Sequence, residues 1–514
     1  MSNILCPLIK PDLKKTIKII ALFGLLLTAT TILAQNNLLT STLDSAKALR
    51  DAGKYQQAVK VLQTFDNKYP DNYWVLQLYA ETLFWMKEYE EADHVYRRSI
   101  RVYPDNYELK YEYALFLYDR GDYKNAHELL LLYNEKYPDI TEVQSLLGIT
   151  GYYLGNFKAA KVYLESSLKK NPNDKFTRKI YTEVSHIVNP WFKGDFLYTK
   201  DSQPMSLLMP QLSGGWYHSH LLNLSFKVNY QSFSADSLTS DMSGFSLQNS
   251  FIIPNAGFKA VVGLGGFYTA INNTMDITWQ LQIDKRLTQN LHIKAGGERS
   301  PYTYTVSSIA KPFLRNRYSA SLSWETENNV NANIGYIGEF FPDTNQVHTA
   351  YAWVLSPTFK FSVFRVNAGY AFNYSNAGES RFVSEQPLDD ILTDYDSTKQ
   401  ITGVYNPYFT PNNQFSNSLL VNLYVVPSDR VNIKLHASVG VFSRAMNPYL
   451  YLDKRNGKTI INEGFYQEKF TPLDIGFDLN ANLSDKITLN LSYQYLQTFY
   501  YNTNNFNVGL KIYF

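Results

Sequence analysis

The chain is poor in cysteine, in net charge and in long apolar runs. Its 514 residues hold one cysteine, Cys6. Cys6 lies before the N-terminal apolar run, whereas a lipid-attachment cysteine follows such a run. Removal of that segment leaves no thiol, which excludes disulfides, thiol catalysis and cysteine metal sites. Lys and Arg number 48 against 46 Asp and Glu, a formal net charge of +2. That balance gives no pull on polyanions, so no nucleic-acid role is expected. Beyond the N-terminus, no stretch is apolar enough to cross a bilayer as a helix. His-Glu-x-x-His, P-loop and dinucleotide fingerprints are missing, and the scattered Ser, His and Asp do not assemble into a triad. His218 and His220 have no carboxylate support and read as a turn feature rather than a metal site. No enzymatic activity, cofactor or metal is expected.

What is present begins with a leader pattern. Lys10, Lys14, Lys15 and Lys18 flank an apolar run from Ile19 to Leu27, and small residues lead to Ala34-Gln35. This reads as a secretory signal over residues 1–35, with an uncleaved anchor as the alternative.

A period of 34 residues follows. It relates Pro70, Pro104, Pro138 and Pro172, and likewise Ala58, Ala92, Ala126 and Ala160. Tyr55, Tyr89, Tyr123 and Phe157 keep the step. Gly53, Gly121 and Gly155 mark a turn, with Lys87 standing in once. Small Ala lets two helices approach, the aromatic fills the space beside the turn, and Pro ends the second helix. One such unit cannot bury its own apolar face, so units stack. The pattern resembles the tetratricopeptide repeat, and implies an α-solenoid of about four repeats over 36–184. It is expected to bind or tether proteins. Trp74, Trp85 and the tyrosines read as repeat core, with a concave binding groove as the alternative.

After Val184 the rhythm changes to two. Phe506, Val508, Leu510, Ile512 and Phe514 alternate with Asn505, Asn507, Gly509, Lys511 and Tyr513. Ile487 to Tyr495, Val431 to Val441 and Leu473 to Leu483 alternate in the same way. Many strands reach membrane-spanning length, aromatics gather near strand ends, and Phe514 resembles the C-terminal signal of outer-membrane barrels. A soluble sandwich is the alternative. The expected fold is α + β multidomain, with a transmembrane antiparallel β-barrel of about 16 strands over 185–514. Short turns are expected at Tyr217–Ser219, Pro254–Asn255, Lys285–Gln289, Thr326–Asn328, Ser356–Thr358, Pro427–Asp429 and Ser484–Asp485. Long loops, Ser375–Gln414 and Ser443–Glu468, fall at the other end. That parity places the repeats and both barrel termini in the periplasm. Lipid and the barrel-assembly machinery are then expected partners.

A barrel of that size encloses an aqueous lumen. Its inward faces carry Asn, Ser, Gln, Thr, Asp and Lys with aromatics nearby, which suits a sugar polymer better than an ion pore with its denser charge rings, a polar lumen of no particular ligand being the alternative. The order of leader, repeats and barrel resembles the outer-membrane exopolysaccharide porins of the cellulose synthase operon protein C and poly-N-acetylglucosamine type. The short array also resembles YaiO-like barrels. Glu298-Arg299-Ser300-Pro301 with Thr305 and Ser307-Ser308 is similar to an Arg-Pro-Val-Thr-x-Ser stretch of the cellulose porin. Asp343-Thr344-Asn345 with Tyr351 and Trp353, and Tyr408-Phe409-Thr410-Pro411-Asn412, resemble two further motifs. The resemblance implies pore or polysaccharide contacts at Glu298, Arg299, Asp343, Asn345, Tyr408 and Pro411, and docking of periplasmic or inner-membrane proteins by the repeats. For Glu298 and Arg299 the alternative is a loop-pinning ion pair. For Tyr408 and Pro411 it is a rigid turn before a strand.

Overall fold

The computed structural model describes residues 35–236, 238–253, 256–326, 328–393 and 401–514. The leader up to residue 34, Cys6 with it, the turn expected at Pro254–Asn255, and Glu327 of the turn expected at Thr326–Asn328 lie outside the described residues. Two units emerge: the described part of Met1–Gly151 with Val162–Thr177, and Tyr152–Lys161 with Arg178–Phe514.

The helices are α1 over residues 35–51, α2 (Tyr55–Lys68), α3 (Tyr73–Trp85), α4 (Tyr89–Val102), α5 (Tyr107–Asp119), α6 (Tyr123–Lys136), α7 (Thr141–Tyr153), α8 (Phe157–Lys170) and α9 (Lys175–Val188). Every even helix stops two residues before a repeat proline, whose ring and missing N–H cannot enter a helix interior. The repeat alanines Ala58, Ala92, Ala126 and Ala160 are fully buried. The turn glycines Gly53, Gly121 and Gly155 hold φ of +72°, +77° and +78°. Lys87, at the same turn of the second repeat, is held at +66°, a region that costs a side-chain-bearing residue. Asn72 and Asn106 cap α3 and α5 by accepting from the N–H of Val75 and Leu109. Arg98 of α4 donates to both oxygens of Asp66 in α2, at 2.6 and 3.1 Å, tying neighbouring repeats together.

Tyr79, Tyr96, Tyr113 and Tyr133 are buried, as expected of repeat core. The hydroxyls of Tyr79, Tyr113 and Tyr133 donate to Glu91, Asp93 and Glu108, so their polar tips are satisfied. Trp74 and Trp85 depart from that reading, each 56 % exposed. They lie about three turns apart on α3 and so share one stripe, while Val75, Leu76, Leu78, Tyr79 and Leu83 take the buried face.

The strands are β1 (Trp191–Asp201), β2 (Met205–Tyr217), β3 (Asn223–Ala235), β4 (Leu238–Ile253), β5 (Phe258–Thr269), β6 (Thr274–Arg286), β7 (Leu291–Pro301), β8 (Leu314–Glu325), β9 (Asn331–Phe340), β10 (Gln346–Leu355), β11 (Phe359–Phe361), β12 (Phe364–Ala377), β13 (Phe382–Ser384), β14 (Gly403–Tyr405), β15 (Gln414–Ser428), β16 (Val431–Arg455), β17 (Lys458–Lys469), β18 (Leu473–Ser484), β19 (Ile487–Gln497) and β20 (Asn502–Tyr513). Short α10 (Val306–Ala310) follows β7 and α11 (Leu388–Thr393) follows β13. Sixteen strands form a closed antiparallel barrel. β1 pairs with β2 on one edge and with β20 on the other, from Trp191↔Tyr513 to Asp201↔Thr503. β11 pairs with β12 alone, and β13 with β14 apart from the barrel. β16 changes partner: Val431–Val439 pair with β18, and Arg444–Arg455 pair with β17 as a hairpin extending past the wall.

Alternation sorts the side chains. Outward positions carry large apolar groups such as Leu247, Leu264, Ile277, Ile334, Leu419 and Val441; Ile277 is 70 % exposed and Leu264 64 %. A belt of this kind all round a closed sheet is what lipid covers. Inward positions carry amides and hydroxyls, linked in cross-strand pairs such as Gln248–Gln280 and Asn422–Asn367. The expected turns that are described fall at one end, with Trp191 and Tyr513. This is the end at which the chain enters and leaves the barrel, called the entry end for that reason. The two long segments fall at the far end, Ser375–Gln414 as the β12–β15 connection and Ser443–Glu468 as the extended hairpin.

Candidate functional site

Loops pack over the strand tips at the far end and form what is here called the stopper. Leaving β7, the chain turns into α10, whose capping box pairs Thr305 with Ser308. Fully buried Ile309 packs with Met205, Phe233, Met242, Phe267 and Leu314, which come from the far-end tips of β2, β3, β4, β5 and β8. A second cluster joins Tyr302, Phe341, Val347 and Tyr408, with Phe313 packed against it. Tyr408 is 1 % exposed, and its ring stacks on Phe341 at 3.6 Å between centroids. Apolar residues at a barrel mouth are buried only because the loops fold inward over them.

A polar latch holds the long β12–β15 loop on this core. Asp343 sits in the tight β9–β10 turn, which Thr344 makes with φ +69°. Its carboxylate accepts from the Tyr408 hydroxyl at 2.7 Å and from Arg381 Nε at 2.7 Å. Arg381 also donates to Glu379 at 2.8 Å, and its backbone N–H to Thr410 at 3.0 Å. Asn345 donates to the Glu379 carbonyl and accepts from the Glu379 N–H, each at 2.9 Å. Thr305 Oγ1 donates to the Pro407 carbonyl at 2.5 Å, joining α10 to the same loop. Burial pushes the Asp343 carboxyl up, but the bonds from Tyr408 and Arg381 outweigh it and leave the group below its usual range. Burial and the bond to Asp343 push the Tyr408 hydroxyl up to about 12.

The structure thus brings Asp343, Asn345 and Tyr408 together. Pro411 stands beside them, its carbonyl accepting from Ala377 N–H at 2.7 Å. Glu298 and Arg299 lie elsewhere. Glu298 is on the β7 wall, 3.9 Å from Arg317 and bonded by Ser300. Arg299, the next residue, takes the opposite face across from Trp279, with Asp276 at 3.9 Å. Phe514 follows β20 at the entry end, where its N–H donates to the Pro190 carbonyl. His218 N–H donates to the Leu222 carbonyl within the β2–β3 turn.

Sequence reading missed Arg381, Glu379, Tyr302, Ile309 and Arg315. Arg315 is buried, binding Glu339 at 2.5 Å with its guanidinium 5.4 Å from the Tyr302 ring centroid. No motif or periodicity in the sequence marks these five, although Thr305 and Ser308, which cap α10, fall in one of the resembled motifs.

Beneath the stopper the lumen holds open space. A cavity of about 540 Å³ is lined by Lys193, Asp195, Gln211, His436, Asp478, Gln494 and neighbours. Another of about 270 Å³ is lined by Asn229, Gln248, Gln280 and Glu298 among others. Among the described residues no group of three or more His, Cys, Asp or Glu is placed to hold a metal ion.

The tetratricopeptide repeat family model matches residues 22–184. No curated protein matches the chain. Among solved structures, a bacterial polysaccharide outer membrane secretin is similar over 64 % of this chain and 99 % of its own, at 10 % identity and a TM-score of 0.45. MamA from Desulfovibrio magneticus RS-1 is similar over 29 % of this chain and 84 % of its own, at 13 % identity and a TM-score of 0.28. Pseudomonas aeruginosa pilF is similar over 30 % of this chain and 70 % of its own, at 21 % identity and a TM-score of 0.27. The chain therefore joins tetratricopeptide repeats to a closed β-barrel of a kind typical of outer-membrane proteins.

Proposed function

We propose that the protein is an outer-membrane conduit for a secreted polysaccharide. Its leader spans 1–35, its repeats, 36–184, stand in the periplasm, and its barrel spans 185–514. The repeats dock periplasmic or inner-membrane proteins that deliver the polymer. The observation that carries this reading is the separation of wall from stopper. The wall encloses space lined by amides together with Lys193, Asp195, His436 and Asp478, while α10 and a latched loop, not the wall, cover the far end. Neutral amides and hydroxyls suit sugar hydroxyls, and an ion pore would favour denser rings of charge. On this reading Asp343, Asn345, Tyr408 and Pro411 act at the gate, and Glu298 and Arg317 at the wall.

A second reading is a non-conducting anchor whose repeats recruit partners. The buried core at the far end favours it, since such a core stabilises a shut mouth.

Single-channel recording separates the two. The protein is compared with a variant in which residues 303–312 and 379–409 are replaced by short Gly-Ser linkers. A conduit gives large, stable conductance steps in the variant, reduced by added neutral oligosaccharide. A variant that stays sealed rules out the conduit and leaves the anchor.

A further inference from the structure

The 34-residue step makes each repeat a control for the others, and the second and third repeats break the pattern at one place. Trp74 and Trp85 of α3 are each 56 % exposed. The other repeats put Thr40, Glu108 and Glu142 at the first position and Asp51, Asp119 and Tyr153 at the second. Glu112 of α5 breaks the pattern the other way. It stands half-buried where Leu78 and Leu146, in the repeats on either side, fill the core. An exposed tryptophan forgoes burial, and a half-buried carboxylate loses solvation. Departures from a local rule concentrate where function needs them.

The departures lie on facing stripes. Trp74, Gln77, Glu81 and Trp85 follow one another along α3 at steps of three and four residues, so they share one side of it. Gln77 reaches across to α5, where its Nε2 donates to Glu112. Glu108 lies one turn before Glu112 and accepts from the Tyr133 hydroxyl at 3.1 Å. Burial pushes the Glu112 carboxyl up against the Gln77 bond, and the charges of Glu81 and Glu108 add to the push. Arg50 pairs with Glu81 at 2.8 Å, but among the described residues neither Glu108 nor Glu112 has an ion-pair partner. The indoles are braced by their neighbours. Tyr73 meets Trp74 edge-on at 4.7 Å between centroids, and Phe84 meets Trp85 at 6.0 Å.

This combination selects the occupant. Two carboxylates without a counter-charge call for a basic group, and a tryptophan face attracts a cation above it. Arginine meets both demands, because its planar guanidinium stacks on an indole and still offers N–H groups to a carboxylate. The two tryptophans are eleven positions apart, roughly 16 Å along the helix. An extended chain covers that span in about five residues.

We propose that this face of α3 and α5 docks an extended segment of a partner protein whose arginines, about five residues apart, stack on Trp74 and Trp85 and pair with Glu108 and Glu112. The inference rests on docking by the repeats and names the chemistry they recognise.

The test uses the full chain in lipid nanodiscs and fluorescence anisotropy of labelled Gly-Ser peptides bearing two arginines about five positions apart. The arginine peptide is expected to bind, the lysine version several-fold more weakly, and the glutamate version not at all. Trp74→Ala and Trp85→Ala each weaken binding about fivefold or more. Glu112→Leu, which installs the core residue of the neighbouring repeats, weakens binding while the urea midpoint of the array holds or rises. A purely structural role would move affinity and midpoint together. The inference is overturned if the arginine peptide does not bind, if binding survives Trp74→Ala with Trp85→Ala, or if Glu112→Leu leaves affinity unchanged. A glucosamine hexamer that binds as tightly as the peptide also overturns it, in favour of a basic sugar. Photo-crosslinking of the full chain in its native envelope judges docking separately. Partners recovered alike by the wild type and the double tryptophan variant sink this face alone, and recovery by neither sinks docking by the repeats as well.

Discussion

The helical array and the far-end stopper both bury an apolar core, yet they are built on opposite plans. In the array each buried alanine recurs at a fixed step, and each helix packs on its neighbour in sequence. In the stopper, Ile309 meets Met205, Phe233 and Met242, and Tyr408 meets Phe341 and Tyr302 across long stretches of chain. The first core is local and periodic, so losing one residue is felt by the whole stack. The second is non-local and sits on a frame that backbone pairing already holds.

The sharpest way to break this comparison is to cut one residue from each core. Leu147 is fully buried, and Leu147→Ala is expected to cost about 2–5 kcal/mol. Urea unfolding followed by helical circular dichroism at 222 nm measures it. Ile309→Ala removes as much burial, but its cost is expected to stay local. Residues 301–313 should become about tenfold or more easier to proteolyse, while the heat-resistant electrophoretic form of the barrel persists. Equal loss of barrel heat resistance would mean that the stopper is part of the fold's foundation.

The latch gives a smaller effect with a pH signature. Asp343→Asn is expected to weaken loop closure by about 1–3 kcal/mol, read as faster cleavage within residues 379–409. The Asp343 carboxyl is held below its ordinary 3.8 in the folded protein. Its contribution is therefore fully present above that value and lost as pH falls below it. Cleavage by pepsin should rise as pH drops through this window in the wild type, and the Asp343 contribution to that rise should vanish in Asp343→Asn. The smallest effect returns to the array. Lys87→Gly should add ~0.5–1 kcal/mol by relieving its positive φ, whereas Gly121→Ala should lose about as much. Both are read by the same urea titration.

Legibility in the sequence follows the same divide. The repeat register was open to reading because Ala58, Pro70 and their successors repeat what each helix pair needs. The strands were legible because a residue facing lipid and one facing the lumen need opposite chemistry, as at Phe506 and Asn507. The turns and the count of sixteen strands followed from that alternation. Trp74 and Trp85 misled because a helical aromatic stripe looks alike whether it faces core or solvent. The motif resemblance led to Asp343, Asn345 and Tyr408, but not to Arg381, whose partner stands in another loop. No periodicity links those positions. The bond exists only once β9, β10 and the long loop reach one end of the barrel.

The seam between β1 and β20 has a consequence for the order of assembly. The earliest strand has nothing to close against until the last one has been made. Closing so long a loop is entropically costly and slow, whereas each helix pair needs only its neighbours. The array can therefore be complete while the strands still lack their closing partner and present two unpaired edges. A protein that recognises the array can bind before a barrel exists, and the newborn edges must be shielded until Asn502–Tyr513 arrives.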